Sequence, residues 1–235
     1  MRRFIIALIL LLPIFLYSGQ TSIYEVQYTG IPGTDGTYPS PLRNQIVTIS
    51  GIVTAINHSN GGFYLSDPEG GPWRGIYINE RSREVSVGDY VQLTGEVSEQ
   101  FGLTTLRNIR MLEIIESDKP LPPATLVTTG ELAVSEAYEG VLVQVINVKI
   151  INRSEQGSVL LINDGTGVCR MSDSFLSAFP ENLSGTAGQA INRIIGVVDY
   201  RFGEYRLNPR QGSDIHSSPL GSSKPSWGRI KSYYR

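Results

Sequence analysis

The chain carries one pattern of glycines and apolar residues twice, and this internal repeat restricts its possible folds more than any other feature. The first copy contains VGDYVQLTGEVSEQFGLTTL (87–106), and the second contains AGQAINRIIGVVDYRFGEYRL (187–207). The matched pairs are Gly88 with Gly188 and, after one inserted residue, Gly95 with Gly196, Val97 with Val198, Phe101 with Phe202, Gly102 with Gly203 and Leu106 with Leu207. A period near 100 residues exceeds the roughly 20–50 residues of solenoid repeats. The repeat therefore predicts a tandem duplication of one domain.

Each copy predicts five β-strands, because runs of alternating apolar and β-branched residues lie between turn-forming residues. The predicted strands are 45–57, 62–67, 74–79, 89–97 and 103–115 in the first copy and, approximately, 141–152, 158–163, 167–172, 189–199 and 204–210 in the second. Five strands with a long, glycine-bent first strand and an insertion between the third and fourth describe an OB-fold. We therefore predict an all-β protein of two tandem five-stranded OB-fold (Greek-key) barrels. A pair of Greek-key sandwich domains is the competing architecture.

Composition divides the chain into six segments. The predicted limits are a signal peptide at 1–19, an irregular lead-in at 20–42, OB-fold domain 1 at 43–117, a Pro-rich linker at 118–135, OB-fold domain 2 at 136–215 and a flexible cationic tail at 216–235. Pro120, Pro122 and Pro123 mark the linker. Within domain 2, DSFLSAF (173–179) is expected to form one or two helical turns.

The N-terminus predicts export. Arg2 and Arg3 precede an apolar run, Phe4–Tyr17, which small residues follow, and this order is typical of a secretory signal peptide. The run is short for a membrane span, so we expect a secreted, periplasmic or cell-surface protein with no stable span after cleavage; an uncleaved anchor is the alternative. Cys169 is the only cysteine, so no internal disulfide can form, and its apolar surroundings indicate a buried thiol.

The residues with catalytic or metal-binding chemistry do not form a recognisable site. His58 and His216 lack a partner at metal-ligand spacing, and no nucleophile motif or phosphate-binding loop occurs. Asp67, Glu69 and Asp164 offer carboxylates for calcium or acid–base chemistry, but Asp-Pro and Asp-Gly are more simply turn residues. We therefore predict a protein that is not an enzyme and has neither a cofactor nor a metal. The formal net charge of −2 argues against strong non-specific phosphate binding but leaves room for a local basic patch.

Several stretches together resemble a known family of modules. They are GIVTA (51–55), GFYLSDP (62–68), the first-copy segment 87–106, and YRLNPR followed by SDI (205–215). They resemble the OB-fold modules found beside the catalytic domain of secreted bacterial nucleases of the endonuclease/exonuclease/phosphatase type. The resemblance covers about residues 43–215 and implies a module that binds nucleic acid or helps to place substrate. Outside these residues the sequence is too short for the catalytic domain of the large members, so the resemblance does not imply nuclease activity.

The first copy offers an aromatic platform. OB-folds usually bind ligands on the outer face of strands two and three. If Phe63 and Leu65 point into the barrel, Tyr64 points out. The same alternation turns Tyr77 outward, with Trp73 and Arg74 beside it. Such rings beside an arginine suit stacking on bases or sugar rings; the alternative is that they pack beneath the linker, the lead-in or the other domain.

The second copy carries its aromatic and basic residues in YRFGEYRLNPR (200–210). The candidate binding residues there are Tyr200, Arg201, Tyr205 and Arg206. Between them, Gly203 is expected to make the tight turn and Phe202 to make a packing contact at the barrel end. Either the two copies contribute different parts of one surface, or only one copy binds.

We accordingly predict an exported, non-catalytic module that binds single-stranded nucleic acid or oligonucleotides. The alternatives are a cell-surface structural or interaction protein that binds protein or glycan, and an accessory subunit of a separate extracellular nuclease. The tail 216–235 carries a charge of +4 from Lys224, Arg229, Lys231 and Arg235. This amphipathic segment, with Trp227, is expected to act as a docking or sorting tag or to bind a protein partner or an anionic surface; a frayed end that packs its Trp on domain 2 is the alternative.

Overall fold

Strand β4 (Tyr90–Gln100) shows how the sequence alternation builds a barrel wall. Val91, Leu93 and Val97 are fully buried in the barrel interior, whereas Gln92 and Thr94 between them are half-buried on the outer face. Period-two alternation of this kind places one side of a strand in the core and the other outside. The computed structural model describes residues 19–57, 61–176, 178–181, 183 and 185–217.

Five strands close into the first barrel. They are β1 (Ile46–Ile56), β2 (Phe63–Ser66), β3 (Gly75–Ile78), β4 and β5 (Leu103–Glu116). Their order around the barrel is β1-β2-β3-β5-β4, with β4 paired back to β1, and only β3 and β5 run parallel. This is the five-stranded Greek-key arrangement of an OB-fold. The closed ring excludes the sandwich alternative for this copy.

The second copy repeats the same topology. After the short strand β6 (Thr125–Leu126), its strands are β7 (Leu142–Arg153), β8 (Val159–Asn163), β9 (Val168–Ser172), β10 (Ala190–Arg201) and β11 (Glu204–Asn208). They follow the order β7-β8-β9-β11-β10, and β10 also pairs with β7, which closes the ring. Strands β6 and β12 (Ile215–Ser217) extend this sheet at its two margins. The predicted all-β fold of two barrels is confirmed.

The lead-in is more ordered than the sequence analysis predicted. Residues Ile23–Gln27 form helix α1, which starts at a capping box: Ser22 and Glu25 hydrogen-bond to each other's backbone N–H groups. Ile23 and Val26 of α1 are fully buried against the core of the first barrel. The description of 20–42 as irregular is therefore wrong at α1, and S-x-x-E before an apolar residue was the available signal.

One further local prediction concerns the second barrel. The described residues of 173–179 form a turn rather than helix, so the expected helical turns are wrong there. Phe175 in this turn is buried against the first barrel, and this tertiary packing competes with the weak helix preference of a short segment. The linker also contains a short helix, α2 (Thr129–Leu132).

The two barrels pack directly on each other through an apolar cluster. The first barrel contributes Ala55, Tyr64, Tyr77 and Leu103, and the second contributes Leu142, Phe175 and Val197. Beside this cluster the backbones meet at Gly75 and Gly140: a Cβ built on Gly75 would lie 2.1 Å from the Gly140 carbonyl oxygen. Only a pair of glycines permits this separation. The cluster and the glycine contact together fix how one barrel faces the other.

Some predicted features fall outside the described residues. These are nearly all of the signal peptide, His58, and the tail beyond Ser217. Among the residues that the structure describes, no helix is both long and apolar enough to cross a membrane.

Candidate binding groove

The two Phe-Gly turns that the repeat shares have the same backbone and leave both phenylalanine rings in solvent. Phe101 and Gly102 join β4 to β5 with φ values of 55° and 88°, and Phe202 and Gly203 join β10 to β11 with 54° and 78°. Two consecutive positive φ values are typical of a type I′ hairpin turn. Phe101 is 98% exposed and Phe202 is 87% exposed. The expected packing contact of Phe202 is therefore wrong, because its ring lies beyond the last strand pair.

The tips of the two hairpins meet at Gly102. A Cβ on Gly102 would lie 2.6 Å from a ring carbon of Tyr200 and 2.9 Å from the methyl group of Thr37. Gly203 has the same backbone conformation but nothing within 4 Å of its Cβ position. The glycine of the first copy therefore serves a second purpose, which is to admit the Tyr200 ring from the other barrel.

We expect Gly102→Ala to destabilise the protein more than Gly203→Ala. Both changes strain a left-handed backbone by about 1–2 kcal/mol. Only the methyl group of Gly102→Ala also clashes with Tyr200 and Thr37, and this overpacking adds roughly 1 kcal/mol. Denaturant unfolding of the two variants measures the difference. Equal free energies of unfolding would contradict the contact between the hairpin tips.

A groove of about 1050 Å³ opens where these hairpin tips meet the face of the first barrel. Its lining combines both turns, the outer face of β2 and β3, and a stretch of the lead-in. The charged and aromatic residues of this lining include Asp35, Arg43, Tyr64, Tyr77, Arg81, Glu99, Phe101, Tyr200, Arg201 and Phe202. Both copies thus contribute to one concave surface, which was one of the two arrangements that the sequence left open.

The charged side chains of the groove are of both signs. Arg43 and Arg81 are exposed and form no ion pair with any residue that the structure describes. Arg201 pairs with the buried Asp199 at 2.8 Å. Hydrogen bonds from Thr37 hold the pKa of Asp35 below its ordinary value. The groove therefore offers two unpaired guanidinium groups beside one ionised carboxylate and the partly buried Glu99.

Tyr64 and Tyr77 point out of the first barrel as predicted, but they do not form an exposed platform. Tyr64 is 1% exposed and Tyr77 is 8% exposed, because the second barrel covers them. The ring of Tyr64 lies 5.1 Å from that of Tyr77 and 5.8 Å from that of Phe175. The Tyr77 hydroxyl donates to the Gly61 carbonyl at 2.6 Å. The alternative, packing beneath the other domain, is the observed arrangement, and the rings supply only the inner wall of the groove.

Trp73 and Arg74 lie outside the groove, in an aromatic corner with Tyr24 and Tyr28 of the lead-in. Tyr28 is T-shaped against Trp73 at 5.5 Å and stacked on Tyr24 at 5.1 Å. The Arg74 guanidinium pairs with Glu69 at 3.0 Å and more loosely with Asp67 at 3.5 Å. These two predicted residues are therefore not brought together with the others.

Tyr205 and Arg206 support the groove from behind. Tyr205 is 9% exposed, its ring lies 4.9 Å from that of Tyr200, and its hydroxyl donates to the Glu136 carboxylate. The Arg206 guanidinium lies 5.3 Å from the centre of the Phe202 ring, a distance typical of a cation–π contact. Each residue positions an aromatic ring of the groove.

Sequence reasoning missed both exposed phenylalanines of the groove, Phe101 and Phe202, and the arginines Arg43 and Arg81. The repeat pairs Phe101 with Phe202, and the type I′ turn that exposes both rings could have been inferred from the two-residue Phe-Gly connection between long strands. Arg43 and Arg81 carry no local signal, since the fold alone brings them to the groove.

The carboxylates considered for metal or acid–base chemistry have structural partners. Asp164 accepts hydrogen bonds from Thr129 and Thr166; burial opposes them, yet they lower the pKa of Asp164 to about 2. The Asp67 carboxylate lies 3.5 Å from the Arg74 guanidinium, and its backbone carbonyl accepts from the Gly70 N–H in a tight turn. Burial raises the pKa of the Cys169 thiol to about 12. No group of three potential metal ligands occurs among the described residues.

Similarity to known proteins is confined to solved structures. No family model matches the chain, and no curated protein matches its sequence. The hypothetical protein ygiW from E. coli is 16% identical; the match spans 37% of this chain and all of that protein, with a TM-score of 0.27. A murine DNA-binding protein bound to double-stranded DNA is 12% identical over 70% of this chain and 93% of its own, with a TM-score of 0.36. At TM-scores this low, neither similarity carries an argument.

Proposed function

We propose that the groove between the two barrels binds single-stranded nucleic acid and that the protein acts as an exported, non-catalytic binding module. The observation that carries this proposal is the pair of phenylalanine rings, Phe101 and Phe202, presented in solvent by matching turns at one groove. Burying a Phe side chain is worth about 1.5–3 kcal/mol, so leaving both exposed forgoes that stabilisation. A ligand that stacks on them recovers part of it.

The chemistry of the groove suits an unpaired strand. Stacking of a base on an aromatic side chain contributes about 1–3 kcal/mol and tolerates any base. A duplex hides the faces of its bases, so these rings favour unstacked nucleotides. Arg43 and Arg81 lie at the same groove and can neutralise phosphates. Because Asp35 offsets part of their charge, the electrostatic contribution is small and stacking contributes most of the affinity.

Export and the lack of catalytic activity are parts of the same proposal. Export rests on the N-terminal sequence, and non-catalysis rests on the structural roles of the carboxylates described above. An accessory role beside a separate extracellular nuclease shares the same groove. If the purified protein released nucleotides from DNA in the presence of Mg²⁺, the non-catalytic part would be wrong.

The direct test is fluorescence anisotropy of a labelled single-stranded oligothymidine titrated with the protein at about 20 mM salt. We expect a saturable increase that a duplex of the same length reproduces only weakly. Absence of binding at about 100 μM protein would overturn the proposed function.

We expect Arg43→Ala combined with Arg81→Ala to make binding less dependent on salt. Each phosphate contact contributes about 0.7 to the slope of log K against log salt for a single strand. The double variant should therefore lower the slope by roughly 1 to 1.5. Arg110→Ala is the matched control, because Arg110 is an exposed arginine on β5 that does not line the groove. A slope unchanged in the double variant would remove these arginines from the interface.

A further inference from the structure

Four carboxyl groups are gathered in the seam between the barrels, and one of them, Glu99, also lines the groove. Glu99 belongs to β4 and Asp199 to β10, while Glu136 and Glu139 lie in the connection that enters the second barrel. Glu136 is 7% exposed, Glu139 is 2% exposed and Asp199 is 1% exposed. Carboxylates are seldom buried to this degree without cations, since an ionised group loses its hydration there.

Hydrogen bonds join these groups across the seam. Thr104 of the first barrel donates its N–H to Glu139 and its hydroxyl to Glu99, both at 2.9 Å. The hydroxyl of Tyr205, in the second barrel, donates to Glu136. The second carboxyl oxygen of Glu139 is buried and accepts no hydrogen bond from the described residues. The connection thus bonds to both barrels through its carboxyl groups, and Glu139 is incompletely satisfied when it is ionised.

The nearby cations lie closer to the other members of the cluster than to Glu136 and Glu139, and only Arg201 forms an ion pair there among the described residues. Arg201 is paired with Asp199 at 2.8 Å, Arg206 also lies near Asp199, and Arg43 lies near Glu99. Glu136 and Glu139 lie three residues apart and repel each other when ionised, and the other carboxyl groups near them are Glu99 and Asp199. Burial raises the pKa of Glu136 to about 7, although the hydrogen bond from Tyr205 opposes it. Burial, and then the charge of Glu136, raise the pKa of Glu139 well above its ordinary value.

We propose that Glu136 and Glu139 form a proton-operated latch between the barrels. With both groups protonated, the seam carries no like-charge pair, and the packing between the barrels is most stable. With both ionised, two like charges are buried together in the connection, and their repulsion and lost hydration loosen the seam.

The direction of the pH dependence follows from linkage. Because the folded pKa of Glu136 lies above the ordinary value near 4.5, its contribution to stability is fully present below about pH 4.5. It is lost as the pH rises through about 7. The latch does not depend on the proposed function, but it reaches the groove, since the ring of Tyr205 lies 4.9 Å from that of Tyr200.

The test is denaturant unfolding of the full protein at about pH 5 and about pH 8. We expect the folding equilibrium constant of the wild type to fall by roughly 10- to 100-fold over this interval because of the latch. Glu136→Gln and, independently, Glu139→Gln should reduce the fall, because a glutamine cannot ionise. Glu113→Gln, at an exposed position of β5, controls for the loss of any carboxylate and should keep the fall of the wild type. If one glutamine variant does not fold, the pH dependence of the other variant's stability tests the latch.

A wild-type fall that both glutamine variants retain would overturn the latch. Oligonucleotide titrations of the same proteins separate it from the proposed function. Absence of binding in every protein, together with a flattened pH dependence in the variants, would reject the function and keep the latch. Binding by the wild type, with pH-dependent stability unchanged by both glutamine variants, would keep the function and reject the latch.

Discussion

Gly140→Ala is expected to destabilise the protein by roughly 2–5 kcal/mol, because the new methyl group would meet the backbone of the other barrel. Its Cβ would lie 2.6 Å from the carbonyl carbon of Gly75, and the φ of Gly140 is +73°. The left-handed strain accounts for about 1–2 kcal/mol and the overpacking for about 1–3 kcal/mol. A backbone atom in a strand cannot rotate away as a side chain can. Denaturant unfolding gives the change in free energy.

Gly188→Ala is the matched control for this prediction. Gly188 has a φ of +87° and nothing within 4 Å of its Cβ position, so the alanine there suffers only the backbone strain. We expect Gly140→Ala to exceed it by roughly 1–3 kcal/mol. Gly75→Ala should also be severely destabilising, although the φ of Gly75 is not positive. If Gly140→Ala and Gly188→Ala were equal, the barrels would not pack as described.

Replacing Phe101 and Phe202 together with alanine is expected to weaken binding of single-stranded DNA by at least about 30-fold, since each base–ring stack contributes about 1–3 kcal/mol. The stability of the protein should change by no more than about 0.5 kcal/mol per site, because exposed rings bury little surface. Anisotropy titration measures the first effect and denaturant unfolding the second.

Each single variant should lose part of the affinity, which shows that both barrels contribute. Val134→Ala serves as the control, because Val134 is also a strongly exposed apolar residue, at 75%, but does not line the groove. Undiminished binding by the double variant would place the ligand elsewhere on the protein.

The strands and their arrangement were predictable because the relevant signals are local. The alternation in residues such as Val91, Leu93 and Val97 survives folding, since each barrel interior needs one apolar face per strand. All ten barrel strands begin and end within three residues of the predicted limits. Because the two copies share one sequence pattern, the repeat then predicts the same strand topology for both. The domain limits at 43–117 and 136–215 stay predictions.

The packing between the barrels could not be predicted from these local signals. The alternation correctly predicts that Tyr64 and Tyr77 point outward. It does not predict whether the outer face of a barrel contacts water or another barrel. Gly75 and Gly140 look like ordinary turn residues until their backbones are seen in contact. Phe202 was assigned to packing because apolar residues usually pack, whereas its type I′ turn holds it beyond the last strand pair. Long-range contacts decided the first two cases, and the conformation of a two-residue turn decided the third.

The central claim is that one groove, built from both copies, holds the strand. Amide hydrogen exchange with and without single-stranded DNA tests it most directly. We expect protection at both Phe-Gly turns, 99–103 and 199–204, in the same experiment, with the outer faces of β8 and β9 unchanged. Protection confined to one barrel, or located away from both turns, would contradict the claim.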